Sequence, residues 1–351
     1  MDIISYNNTS QAYSQLRLVM LKPGGYFVHG ATIVNRYQKP PLPVQEQIQK
    51  LKERGLKIRD DKLVIHYLST IGFYRLSAYF VPFEDRNNTS IEHAFLKGTT
   101  FDDILRLYIF DRELRAILLE ALERIEIAAR ACWANSLTLD KKSAHAYMDM
   151  NNFKTPRKHL QQLNHVANAI ERSNEQFVEH YRVTYDEPFL PPTWAMVETL
   201  SFGTLSHWYA DTMSNDIKKP VSDLLGLPTV ELAEGTMHAL TLVRNTCAHH
   251  SRLWNRQFTK QIPFIKRLKS ALVIHEFTDA NDVVQRQPDR RLYNYLVVIT
   301  HIMVKLEPST HWPQKLIRHI DALKVSEQWT MGFPPNWRDL DFWKRALLIK
   351  N

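Results

Sequence analysis

Glycine is scarce in this 351-residue chain, ten in all, and no G-x-G-x-x-G or P-loop run occurs. Without a glycine-rich turn the backbone has no ready cradle for a phosphate between strand and helix, which argues against such an α/β fold and for helices. Cys132 and Cys247 are the only cysteines; two thiols make no disulfide framework and fit a reducing cytosol. Long apolar runs are missing as well. The most apolar late stretch, Tyr293 to Leu306, is too short to span a bilayer and carries Asn294 and His301, so it reads as a buried helix. Met1 to Gln15 is polar and lacks the charged-then-apolar pattern of a secretory signal. The expectation is a soluble, cytoplasmic protein with no membrane partner. No H-E-x-x-H, internal repeat or low-complexity tract is present, and β-branched residues form only short runs. The fold class expected is therefore all-α.

What is present is an ordinary core and an excess of positive charge. Eight Trp, 14 Tyr and 16 Phe supply packing for one large domain or two modest ones. A formal charge of +8 and a pI near 9.3 suit a polyanionic partner without requiring one.

Residues 1–38 contain Asn7-Asn8-Thr9-Ser10 and Pro23-Gly24-Gly25 with no sustained period. They read as a loosely ordered extension, or as the product of an upstream start codon with Met20 nearer the true beginning. Residues 39–95 form an N-terminal helical segment. It opens with Lys39-Pro40-Pro41-Leu42-Pro43, followed by a short helix from Gln45 to Arg54 ended by Gly55, and a second from Asp60 to Ile71 ended by Gly72. Tyr67, Leu68, Phe73, Tyr74, Leu76, Tyr79 and Phe80 then read as core rather than as a stacking platform for bases.

Residues 96–265 form the central helical core. Thr100 caps a helix from Phe101 to about Leu137, with Asp102 and Asp103 at the positive end of its dipole. Its charged residues, among them Asp111, Arg115, Glu123, Glu126 and Arg130, read mostly as a solvated face, with Glu126 or Arg130 as candidates for a site. Further helices are expected over Lys158 to Tyr181 and Thr193 to Met213, and another starts at Pro228-Thr229. Residues 266–351 form a C-terminal helical segment, with helices over Arg291 to Leu306, Trp312 to Leu323 and Trp337 to Leu348.

The helix after Thr229 carries Arg244-Asn245-Thr246-Cys247-Ala248-His249-His250 near its end. Cleaving RNA without a metal needs a proton shuttle and a phosphate clamp. An imidazole supplies the first and a forked guanidinium the second. Asn245 and His249 are i,i+4 neighbours on an ideal helix, so the amide is placed to orient the ring. Arg244 and His249 fall about 140° apart on that helix. They share a substrate only if the arginine curls round or if two copies of the motif meet across an interface. Leu232, Ala239, Leu240, Val243 and Cys247 form the core stripe, which leaves His249 and His250 off it. Arg252, Arg256, Lys260, Lys266, Arg267 and Lys269, interleaved with Trp254, Phe258 and Phe264, read either as an RNA track or as plain surface.

These segments, taken together, resemble bacterial abortive-infection (Abi) proteins of the AbiD/AbiF type, a branch of the HEPN superfamily. The resemblance rests on Glu46-Gln47-Ile48, Arg54-Gly55-Leu56, Gly72 to Tyr79, Leu107 to Arg115 and Glu123-Arg124-Ile125-Glu126. It continues through Pro192-Thr193-Trp194 with Glu198, Ser201 to Ser206, Arg244 to Arg256, and Met331-Gly332-Phe333-Pro334 with Trp337. It covers about residue 39 to the end. It implies a helical bundle of the HEPN type with N- and C-terminal helical extensions, and a metal-independent endoribonuclease of phage-defence or toxin–antitoxin systems. By position, Arg244 and His249 take the catalytic places and Asn245 the polar place between them. His250 reads as an assistant or a phosphate contact, and Arg252, Arg256 and Lys260 are the RNA-binding candidates of the basic stretch. No metal and no cofactor is expected. Partners implied are RNA as substrate, a small noncoding RNA for the AbiF branch, and an antitoxin. A single R-x4-H motif implies a homodimer in which two motifs face one RNA, since Arg157 and His159 have the wrong spacing.

The rivals are an RNA-binding module that holds RNA without cutting it, and an interaction protein whose motif is a helix-packing or dimerisation element. A metal hydrolase is a poor third, because His249 and His250 point apart on a helix.

Overall fold

The computed structural model describes residues 40–278 and 282–348; the expected N-terminal extension, residues 1–38, lies outside them. The chain divides into two compact units, Met1–Leu107 and Tyr108–Asn351.

In the first unit, α1 (Val44–Glu53) and α2 (Asp61–Thr70) follow the sequence reading closely, and a short α3 (Phe73–Ser77) forms within the aromatic cluster. Gly55 ends α1 at φ 88°, with its own N–H on the Lys52 carbonyl and the Leu56 N–H on Leu51. That double bond closes the helix and needs the left-handed conformation glycine adopts cheaply. Asp60 caps α2, accepting from the Lys62 and Leu63 amides at 2.9 and 3.3 Å. Leu51, Val64, Leu68, Leu76, Tyr79 and Phe80 are buried together, so the aromatic cluster is core; Tyr74 alone of its members is exposed.

The helix α4 (Phe101–Lys141) starts in a capping box: Thr100 Oγ1 accepts from the Asp103 amide at 3.2 Å and Asp103 returns a bond to the Thr100 amide at 3.0 Å. In the second unit the expected helix Lys158 to Tyr181 is two helices, α5 (Pro156–Glu171) and α6 (Gln176–Thr184). The expected helix Thr193 to Met213 is likewise broken. A short α7 (Thr193–Met196) and a 3₁₀ turn precede α8 (Phe202–Asp211), which Ser201 caps through the Thr204 amide at 3.1 Å. After α9 (Asn215–Leu224) comes α10 (Val230–Ala248), the motif helix, capped by Thr229 on the Leu232 amide at 3.2 Å. α8 and α10 pack closely because Gly203 has no side chain: a Cβ there would sit 3.1 Å from Thr241 Cγ2.

The sequence reading named no helix for α3 or α9, and it missed a strand pair as well. β1 (Ile274–Thr278) and β2 (Val284–Pro288) form an antiparallel hairpin with Glu276 opposite Arg286. Both strands are mostly exposed, so burial imposes no alternation for a pattern to reveal. Otherwise the described residues are helical or irregular, and the fold is mostly all-α.

The chain continues through α11 (Leu292–Leu306), α12 (Trp312–Ile320), α13 (Val325–Thr330) and α14 (Asp341–Leu347). α11 is buried along most of its length, as its apolar run requires. Its buried Asn294 is satisfied by the Val273 amide at 2.9 Å and by the Val273 and Asp289 carbonyls at 2.8 and 3.0 Å. No described helix is long and apolar enough to cross a membrane.

Candidate functional site

The motif sits where α10 stops. His249 is the C-cap, its N–H bonded to the Asn245 carbonyl at 2.9 Å. His250 takes φ 55°, its N–H on the Cys247 carbonyl at 3.0 Å, and the Ser251 N–H returns to Thr246 at 3.0 Å. This is the closure Gly55 makes on α1, here with a histidine in the glycine place. A side chain in that conformation costs about 1 kcal/mol. Both histidines are exposed.

Asn245, Thr246, His249, Ser251 and Arg256 line one cleft of about 250 Å³ with Phe258 and Thr259 on its wall. The cleft thus gathers Asn245, His249 and Arg256 from the residues expected at the site. Arg244, His250, Arg252 and Lys260 do not line it. Arg244 turns toward α4 instead, where its Nε lies 3.4 Å from Glu126 Oε2. Asn245 does not orient the imidazole as its i,i+4 spacing predicts: its Oδ1 accepts from Arg244 Nη1 at 3.4 Å. Among the described residues neither ring nitrogen of His249 has a hydrogen-bond partner.

Two acid–base pairs on α4 hold this end of α10: Glu126 and Arg130 are the residues the sequence singled out there, while buried Asp111 and Arg115 correct the reading of those positions as a solvated face. Glu126 is buried between Arg130, which binds its Oε1, and Arg244. Arg130 also reaches the Leu200 carbonyl and lies 3.7 Å from Glu198 Oε2. About four turns earlier on α4, Asp111 is fully buried, bonded to Arg115 and accepting the Leu253 and Trp254 amides at 3.2 and 2.6 Å. Arg115 also meets the Ser251 carbonyl at 3.4 Å. The segment after the motif is therefore latched to α4 by a carboxylate that has no water to bind. A signal for this was present. Tyr108, Asp111, Arg115, Leu118, Leu122, Ile125 and Ala129 follow alternating three- and four-residue steps, and all are buried, so Asp111 and Arg115 stand where an apolar residue is due.

The core stripe of α10 stands: Ala239, Leu240, Val243 and Cys247 are buried, with Leu232 half-buried. Burial, reinforced by Asp111, pushes the Cys247 thiol up to about 12, so it stays protonated and inert. Two of the three aromatic members of the basic stretch, Trp254 and Phe258, are buried and offer no stacking surface; Phe264 is half-buried, Lys260, Lys266, Arg267 and Lys269 are exposed, and Arg252 and Arg256 are half-buried. His159 is buried as well, its Nε2 at 2.7 Å from the Tyr147 carbonyl. No group of three or more His, Cys, Asp or Glu among the described residues is placed to hold a metal ion.

The family model for Abi-like proteins matches residues 66–255, more than half of the chain, and its match ends on Asn255 in the latched segment. The chain belongs to the Abi-like protein family. That membership places it among proteins of abortive infection, a phage-defence response. No curated protein and no solved structure matches it. The matched span holds both α4 pairs and the Arg244–His249 motif of this Abi-like chain, and leaves α11 to α14 outside.

Proposed function

We propose that this Abi-like chain is a metal-independent endoribonuclease of phage defence, of the HEPN type, acting as a homodimer. The observation that carries the reading is the division of the motif within one chain. His249 opens into a cleft that Arg244 does not line, while Arg244 is held against α4 by buried Glu126. A complete site, with imidazole and guanidinium on one phosphate, then needs a second copy of the motif facing the first across a two-fold interface.

In such a site His249 takes the proton of a ribose 2′-OH. The 2′-oxygen attacks the adjacent phosphorus, and the bond to the 5′-oxygen breaks. That oxygen leaves with a proton from the imidazolium of His249 or of its copy, giving a 2′,3′-cyclic phosphate and a 5′-hydroxyl. Arg244 balances the charge that builds on the phosphoryl oxygens. Asn245 Oδ1 steadies the guanidinium rather than the ring. Arg256, in the cleft with His249, and Arg252 and Lys260 beyond it supply phosphate contacts. DNA, lacking the 2′-OH, is left intact.

The test is RNA cleavage in EDTA by wild type beside His249→Ala, with analysis of product ends and of oligomeric state. Cyclic-phosphate ends from the wild-type dimer alone support the reading; equal cleavage by His249→Ala would sink it. A second reading, in which the chain holds a small RNA without cutting it, draws on the His249 ring having no orienting partner among the described residues. It predicts salt-sensitive RNA binding with the RNA recovered whole.

A further inference from the structure

A second cavity, of about 410 Å³, lies outside the family match and shares no residue with the His249 cleft. α11 contributes Thr300, His301 and Lys305, the 3₁₀ turn at Lys266–Leu268 contributes Arg267, and α14 contributes Phe342 and Arg345. Apart from Asp341 and Ser270 the rest of its wall is apolar.

Thr300 is the unusual member. Several other helical threonines satisfy their hydroxyls on the carbonyl one turn back: Thr70 on His66, Thr138 on Ala134, Thr241 on Met237 and Thr246 on Leu242, at 2.7–3.0 Å. Thr300 is 1 % exposed, and its hydroxyl has no partner among the described residues. A buried hydroxyl left this way costs stability, and in a cavity wall it marks where a ligand atom can bond. Thr236 shares the condition but lines neither cavity.

The charges specify the ligand further. Arg267, Lys305 and Arg345 face the cavity against one carboxylate, Asp341, which lies 4.0 Å from Arg345. His301 adds no positive charge near neutral pH. Its Nε2 lies 2.9 Å from the Gly226 carbonyl, and burial holds the imidazole below its usual 6.5. The excess of two cations calls for a phosphate-sized anion. The volume exceeds what inorganic phosphate fills and falls in the range of small-molecule sites. Half-buried Phe342 supplies a ring face for a planar group.

We propose that this cavity binds a free mononucleotide, its phosphate on Arg267, Lys305 and Arg345, its base beside Phe342, and a polar atom on the Thr300 hydroxyl. The site is independent of RNA cleavage at His249.

Calorimetric titration of the full chain with AMP, GMP, CMP and UMP, beside inorganic phosphate and adenosine, tests this. At least one mononucleotide binds saturably with Kd below about 1 mM, a threshold that separates a formed site from weak ion pairing. Phosphate and adenosine each bind at least about tenfold more weakly. Thr300→Val weakens that nucleotide about tenfold, the order of one buried hydrogen bond. It leaves the melting temperature of the free protein equal or higher, because it removes an unsatisfied group of the same shape. Arg267→Ala with Arg345→Ala abolishes binding, and His249→Ala leaves it unchanged. The proposal is overturned by any of four results: no mononucleotide binds; phosphate alone binds as tightly; Thr300→Val binds as wild type does; or His249→Ala removes binding.

Discussion

Glu126 Oε2 lies 3.4 Å from Arg244 Nε, and the carboxylate that holds this arginine is itself buried while the arginine stays about one-third exposed. The pair joins a motif residue at the end of α10 to the middle of α4. A guanidinium fixed through Nε by a carboxylate, with Nη1 on Asn245 Oδ1, presents its remaining donors to a phosphate in a direction it cannot choose freely.

Removing Glu126 should therefore cost both stability and phosphate handling. Glu126→Ala leaves Arg130 and Arg244 without their shared partner and destabilises by about 3 kcal/mol, the scale for breaking a buried ion pair. Glu126→Gln keeps the shape and loses less. Urea unfolding measures the first effect. Under the endoribonuclease reading, the Gln variant also cleaves more slowly at saturating RNA, and wild-type kcat for it would show that Glu126 only packs.

Asp111 is the more severe lesion. Its carboxylate accepts two backbone amides and an arginine with no access to water, so Asp111→Ala strands Arg115 and the Leu253 and Trp254 amides together. A loss of about 3–5 kcal/mol is expected. Fluorescence of Trp254, buried in the wild type, should shift to the red at denaturant concentrations where wild type is still folded.

His250 predicts a gain. It holds φ 55° at the position where α1 uses Gly55. His250→Gly should raise stability by about 1 kcal/mol by removing the left-handed penalty, seen as a higher melting temperature. If cleavage falls while stability rises, the strain is retained for the imidazole; if both hold, it is not.

His301 sets a pH dependence. Burial lowers its pKa below 6.5 in the folded chain, with Arg267 and Lys305 adding to the effect and the Gly226 carbonyl opposing it. The unfolded chain then takes up the proton first, so this contribution is fully present above about pH 6.5 and is lost as pH falls through that value toward the folded pKa. His145 and His238 are lowered in the same direction, each chiefly by burial. Melting temperature should drop from about pH 7 to pH 5, and His301→Gln should make the drop shallower without abolishing it.

Arg256 lines the cleft with His249 and is half-buried. If it contacts phosphate, Arg256→Ala weakens RNA binding by a similar factor for every sequence and lowers the salt slope by about one. A sequence-dependent loss with an unchanged slope would assign it to base contacts instead.

Features that depend on neighbours along the chain were legible in the residues alone. Asp60, Thr100, Ser201 and Thr229 cap helices because a short side-chain oxygen meets amides two or three residues on. Gly55 stops α1 because it alone pays little for a left-handed turn, and Val243 and Cys247 face inward because 3.6 residues make one turn. The exposure of His249 follows from the same periodicity. Tertiary structure decided the rest. Whether Asp111 and Glu126 meet water or a buried partner depends on residues more than a hundred positions away, at Leu253 and Arg244. Whether Trp254 is core or a stacking surface depends on what packs over it, and the side Arg244 takes depends on a carboxylate of another helix. Local geometry gives a side chain its direction; only the packed neighbour decides what it meets there.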